Sequence, residues 1–127
     1  MFARSLAAFA AFMLIGAGIA GAQELEDFKV RDAGSLARLC AMPEGSTFHA
    51  EARQFCYGYI AGAATVYREM VAAGAMERAV CPKAEPTVEE MRATFAGWIA
   101  RNPDSRQDDP ADGLLRAMAT AYPCPQR

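Results

Sequence analysis

Four cysteines, Cys40, Cys56, Cys81 and Cys124, all lie downstream of an apolar leader, and this arrangement constrains the chain more than any other feature. A chain that passes into an oxidising compartment usually joins an even number of thiols as disulfides. The leader has the parts of a cleavable signal. Arg4 gives a positive start, Leu6 to Ile19 carries no charge, and Ala20-Gly21-Ala22 offers the small-x-small pattern cut by signal peptidase, before Gln23. A spanning helix wants about 20 apolar residues, and this stretch is shorter. No cysteine follows the cut, which argues against a lipid-anchored form. The sequence therefore predicts a signal peptide over residues 1–22, one domain over 23–127, and a periplasmic or secreted destination with no membrane attachment after cleavage.

Charge narrows the partners. The whole chain carries net −2, and loss of Arg4 with the leader makes the remainder more acidic still. No run of Lys or Arg occurs. Nucleic acid and anionic membrane surfaces both require a dense positive patch, so neither is expected as a partner. A single small domain buries a modest core, and covalent staples are then physically useful.

Strand signals are almost absent, whereas helix punctuation is plentiful. A first short helix places Leu36, Leu39 and Cys40 on one face, with Ser35 as its expected cap. A second, the longest, is expected from Ser46 or Thr47 to about Ala73, with Gly74 ending it. Along it Phe48, Ala52, Phe55, Cys56, Tyr59, Ile60, Ala63, Tyr67, Met70 and Val71 make one apolar stripe. Thr87-Val88-Glu89-Glu90 is a capping box that opens a third helix, buried through Val88, Met91, Phe95, Trp98 and Ile99 and stopped by Asn102-Pro103. Asp109-Pro110 starts a fourth, with Leu114, Leu115 and Met118 facing inward until Pro123. Residues 75–86 and 101–109 read as loops. The expected fold is all-α, a compact bundle of about four helices held by two disulfides.

Four cysteines allow three pairings. If helices two to four alternate in direction, Cys81 and the end of helix four share one pole, and Cys40 and Cys56 share the other. That order favours Cys40–Cys56 with Cys81–Cys124. Zinc sites bring ligands in close doublets and redox pairs show C-x-x-C; the spacings here show neither, so staples are the expected role.

Candidate catalytic groups are few. His49, the only histidine, sits at the start of helix two, where a surface or capping role is expected. Ser35, Ser46 and Ser105 lie at helix starts or in a loop, where hydroxyls serve turns and caps. Glu89 and Glu90 are adjacent and so point about 100° apart on a helix; capping suffices for them. Asp104, Asp108, Asp109 and Asp112 lack the ligand order and central glycine of a calcium loop. No catalytic set, metal or cofactor is expected.

Within helix two, Phe55-Cys56-Tyr57-Gly58-Tyr59-Ile60-Ala61-Gly62 carries two glycines four apart. Each costs about 1 kcal/mol in a helix relative to alanine, so a compensating contact is expected. Gly58, Tyr59 and Gly62 would form a flat groove for a neighbouring helix, either within the bundle, against Gly97 of helix three, or in a second subunit. The F-C-x-G-Y-I-x-G run, the first cysteine after a Leu-rich helix, the Cys81-Pro82 pair, the capped helix ending in Asn102-Pro103 and the terminal Tyr122-Pro123-Cys124 together resemble the Rap/Tai-type immunity proteins of type VI secretion. That resemblance spans residues 36–124. It implies a small helical periplasmic protein, often dimeric, that binds and blocks a cell-wall amidase toxin. Its matching positions are structural, so no toxin-contacting residue is carried over.

Other functions fit the same outline: an HdeA-type acid-stress chaperone, an orphan binding protein of the same fold, or a minor periplasmic hydrolase, for which no paired catalytic groups are found. For an occluding inhibitor, the expected plug is the polar segment Arg101 to Asp109, with Asp104, Ser105 and Arg106 at its centre.

Overall fold

A computed structural model describes residues 28–126. The leader and its cleavage point lie outside the described residues. The described chain contains four α-helices: α1 (Ala33–Cys40), α2 (His49–Ala72), α3 (Val88–Arg101) and α4 (Pro110–Ala121), with a 3-10 helix, Pro103–Gln107, between the last two. The only β-pairing among the described residues is an isolated bridge between Val80 and Pro123.

Local chemistry sets each boundary. Asp32, not Ser35, is the N-cap of α1: its carboxylate accepts from Ser35 N at 2.7 Å, and the Ser35 hydroxyl accepts in return from Asp32 N at 3.0 Å. The expectation of Ser35 as the cap is thus corrected by one turn. A serine at N3 closes the reciprocal box normally made by Glu or Gln. The Ser35 backbone amide, and after it the Ser35 side chain, hold the Asp32 carboxyl below the ordinary aspartate range. Helix α2 begins later than Ser46 or Thr47, because Gly45, at φ +87°, and two successive turns carry the chain to His49. There His49 Nδ1 donates to the Met42 carbonyl at 2.8 Å, tying the start of α2 to the end of α1. At the other end Gly74 (φ +71°) makes a full Schellman closure, with Gly74 N donating to Val71 O and Ala75 N to Met70 O. Thr87 and Glu90 form the expected capping box on α3, and the Asp109 carboxylate caps α4 ahead of Pro110.

The shortest α-helix occupies the centre. Every residue of α1 except Arg38 is buried, and α1 packs against α2, α3, α4 and the 3-10 helix. Its own Leu36, with Cys56, Ile60 and Phe95 from α2 and α3, are the largest fully enclosed side chains. Close approach is secured by glycines that sequence spacing did not single out. A Cβ on Gly113 of α4 would stand 2.6 Å from Ala33 Cβ, and one on Gly34 of α1 would stand 3.0 Å from Arg106 Cβ. By contrast, Gly58 and Gly62 are exposed, and an added Cβ at either meets nothing within 4 Å. Among the described residues no other helix reaches them, so packing against α3 is not their role. Gly97 faces only the side chain of Arg101.

Both disulfides join the expected partners, Cys40–Cys56 at one pole and Cys81–Cys124 at the other. Closing loops of 16 and 43 residues removes chain entropy from the unfolded state, by about 3 and about 4 kcal/mol respectively on the loop-closure relation. The stripe of α2 is buried only in its first half, at Ala52, Cys56 and Ile60. Beyond Ile60 the helix runs past the core, leaving Val66 59% and Met70 37% exposed.

Candidate functional site

Three surfaces emerge from this frame. The first joins α2 to α3 beside the Cys40–Cys56 disulfide. Glu89 turns away from the cap that Glu90 completes and gathers three partners: Arg92 Nη2 at 2.6 Å, Arg53 Nη2 at 3.3 Å and the hydroxyl of Tyr57. Arg53 Nε donates to the Tyr57 oxygen at 2.7 Å, and Arg92 Nη1 reaches across to the Cys40 carbonyl at 2.5 Å. The hydrogen bonds from Arg92 and Tyr57 push the Glu89 carboxyl down to about 2. The same cluster holds both guanidiniums firmly charged. Nothing in the local sequence marked Glu89 for this cluster, since its partners on α2 lie 32 and 36 residues away.

The second surface is the segment expected to be a loop plug. It is instead an ordered 3-10 helix seated on α1, with the backbone of Arg106 against Gly34. Asp104 and Arg106 are exposed and Ser105 is half-buried. Asp108, just beyond, accepts from Ala33 N at 2.9 Å through its carbonyl, fixing the turn to the first residue of α1. One oxygen of the Asp108 carboxylate is buried without a hydrogen bond, with Arg116 Nη1 at 3.9 Å.

The third is the unburied length of α2. Phe55, Gly58, Gly62 and Val66 recur at helical spacing and are all exposed. Phe55 also meets Phe28 edge-on at 6.1 Å, and Phe28 meets Phe48 at 6.4 Å. Tyr59 is turned inward, half-buried, and burial with the nearby Asp109 charge raises its phenol. It stands at the head of a groove of about 800 Å³. One wall is α2 from Tyr59 to Val71, the other is the segment 78–86, and Met91, Leu114, Leu115 and Met118 line the floor. Leu115, expected in the core, is only half-buried and faces this groove.

The far wall is tied on three sides. Tyr67 oxygen accepts from Ala79 N at 2.8 Å and Val80 N at 3.1 Å, Arg68 pairs with Glu85 at 2.8 Å, and Cys81 N donates to Tyr122 O at 2.8 Å beside the second disulfide.

No group of three or more His, Cys, Asp or Glu side chains able to hold a metal ion occurs among the described residues. Compared with known families, residues 32–124 match the family model of the Rap1a immunity proteins. The chain belongs to the Rap1a immunity protein family. The match covers all four α-helices and both disulfides, so the Rap1a domain and the folded unit coincide. No curated protein and no solved structure matches the chain. The Rap1a assignment identifies a protein whose kind of partner is another protein, a toxin.

Proposed function

We propose that this protein is a periplasmic immunity protein of type VI secretion that binds a peptidoglycan amidase toxin and blocks it by occluding its cleft, without chemistry of its own. The observation that carries the reading is the Rap1a family match over residues 32–124. The signal-like leader supports the compartment, since a wall-cutting toxin acts there. The 3-10 helix supports the mode of action. A plug that is already ordered on Gly34 loses little conformational freedom on binding, and Asp104 and Arg106 offer charges of both signs to a polar cleft. A homodimer formed through Phe55, Gly58, Gly62 and Val66 accounts for two exposed helix glycines, because a flat strip lets a second helix approach closely.

The test is co-expression with a secreted amidase encoded beside this gene. The expected result is a stable complex of the two proteins and loss of peptidoglycan hydrolysis at equimolar inhibitor. An amidase that keeps full activity in a large excess of the protein, with no complex on gel filtration, overturns the reading. Intact mass of the exported protein should correspond to a start at Gln23 and no alkylatable thiol.

A further inference from the structure

The groove between α2 and the 78–86 segment is not used by the occlusion reading, and its lining points to a ligand of definite chemistry. Its interior is alkyl and thioether surface: Val66, Met70, Met76, Leu115 and Met118 all contribute. Methionine adapts its shape to a flexible chain better than any branched side chain. The volume, about 800 Å³, falls within the range of small-ligand sites, which are largely apolar with a few placed polar groups.

Those polar groups share one character. Four charged residues line the groove, and the single acid among them, Glu85, is already taken by Arg68 at 2.8 Å. Arg78 and Lys83 form no ion pair among the described residues. Tyr67 adds a donor. Its oxygen accepts two backbone amides, so the hydroxyl proton is what it has left to offer, and no described residue accepts it. Two uncompensated cations and a hydroxyl proton on the edge of an alkyl-lined groove suit an anionic head on an apolar chain.

We infer that the groove binds a single-chain anionic amphiphile, with its alkyl chain along Val66, Met70 and Met118 and its acidic head at Arg78, Lys83 and Tyr67. The site is separate from the 3-10 helix proposed as the toxin plug, and its failure would leave the immunity reading untouched.

Calorimetric titration of the purified, disulfide-bonded protein with dodecanoate, dodecanol and dodecyltrimethylammonium, each below its micellar concentration, tests the inference. Dodecanoate should bind one to one and at least tenfold more tightly than either other headgroup. The double variant R78Q/K83Q should erase that preference while still binding dodecanol. Ala64→Trp, which fills the groove from α2, should abolish all three with circular dichroism unchanged. Methyl resonances of Met70, Met76 and Met118 should shift with dodecanoate and not those of Met42. Three outcomes overturn the inference: no saturable binding, equal affinity for the three headgroups, or a headgroup preference that survives R78Q/K83Q. Met70 and Met118 signals that respond to self-association or to a toxin but not to dodecanoate would assign the groove to a protein and equally overturn it.

Discussion

Gly113 of α4 lies against Ala33 of α1 so closely that a Cβ on the glycine would stand 2.6 Å from the alanine Cβ. Both positions are buried, and Ile99 and Phe95 close the space around them. Replacing Gly113 with alanine should therefore destabilise the protein, by about 1–3 kcal/mol from overpacking, despite alanine's better helix propensity. Gly58→Ala is the contrasting variant. With nothing within 4 Å, it should be neutral or stabilising by up to about 1 kcal/mol. Urea denaturation of the two variants side by side checks both signs. Gly58→Leu should likewise leave monomer stability intact, and a shift in sedimentation with Gly58→Leu or Gly62→Leu would place a second copy on that strip.

Glu89 should make stability depend on acid. Its folded carboxyl titrates near 2 against an ordinary value of 4.5. A depressed carboxyl contributes stability above the unfolded value and loses it as pH falls through the folded one, so the loss runs from about pH 4.5 to about pH 2. The side chain is 46% exposed, and solvent screening brings the effect to about 1 kcal/mol. Glu89→Gln should be less stable than the parent at pH 7. The gap should narrow below pH 4.5 and close near pH 2, as read by denaturant midpoints across that range.

Alanine at Asp104, Ser105 and Arg106 should weaken binding of a toxin partner without lowering the melting temperature. Alanine keeps the Cβ of Arg106 that packs near Gly34, so the seat of the turn survives. Calorimetric affinity and thermal melts on the same samples check this. Unchanged affinity, with binding abolished by changes on α2, would put the plug elsewhere.

On chain entropy alone, the two disulfides rank by loop length. Paired serine substitution at Cys81 and Cys124 should cost about 4 kcal/mol and at Cys40 and Cys56 about 3 kcal/mol from chain entropy. The second pair should lose more than its loop predicts, because Cys40 and Cys56 are buried against Leu36 and Ile60 in the core. Non-reducing peptide mapping and denaturant titration measure the pairing and the ranking.

The helices were legible because their signals are local. A threonine three residues before Glu90, an aspartate before Pro110 and a glycine after Ala73 each satisfy or end backbone groups within one turn. The pairing of cysteines followed from helix direction for the same reason. What escaped was whatever depends on a distant neighbour. Periodicity showed that Tyr67, Met70 and Val71 share a face with Ile60, but not that the bundle stops at Ile60 and leaves the rest as a groove wall. It drew notice to Gly58 and Gly62, where an added Cβ meets no described residue, over Gly34 and Gly113, whose contacts come from other helices. Glu90 was marked by its place in the capping box, whereas the ion cluster at Glu89 was not legible, because only the fold brings Arg53 and Tyr57 to it.

The two covalent rings close residues 40–56 and 81–124, and the tract 57–80 belongs to neither. The overhanging half of α2 is therefore held without a covalent tie, by the Tyr67 and Arg68 contacts and by the packing of Ala63 and Ala64 against the core. Amide hydrogens from Ala63 to Ala72 should exchange faster than those of α1, at a free energy below that of global unfolding. The surface with most left to offer a visitor is thus also the part of the molecule that neither covalent ring encloses.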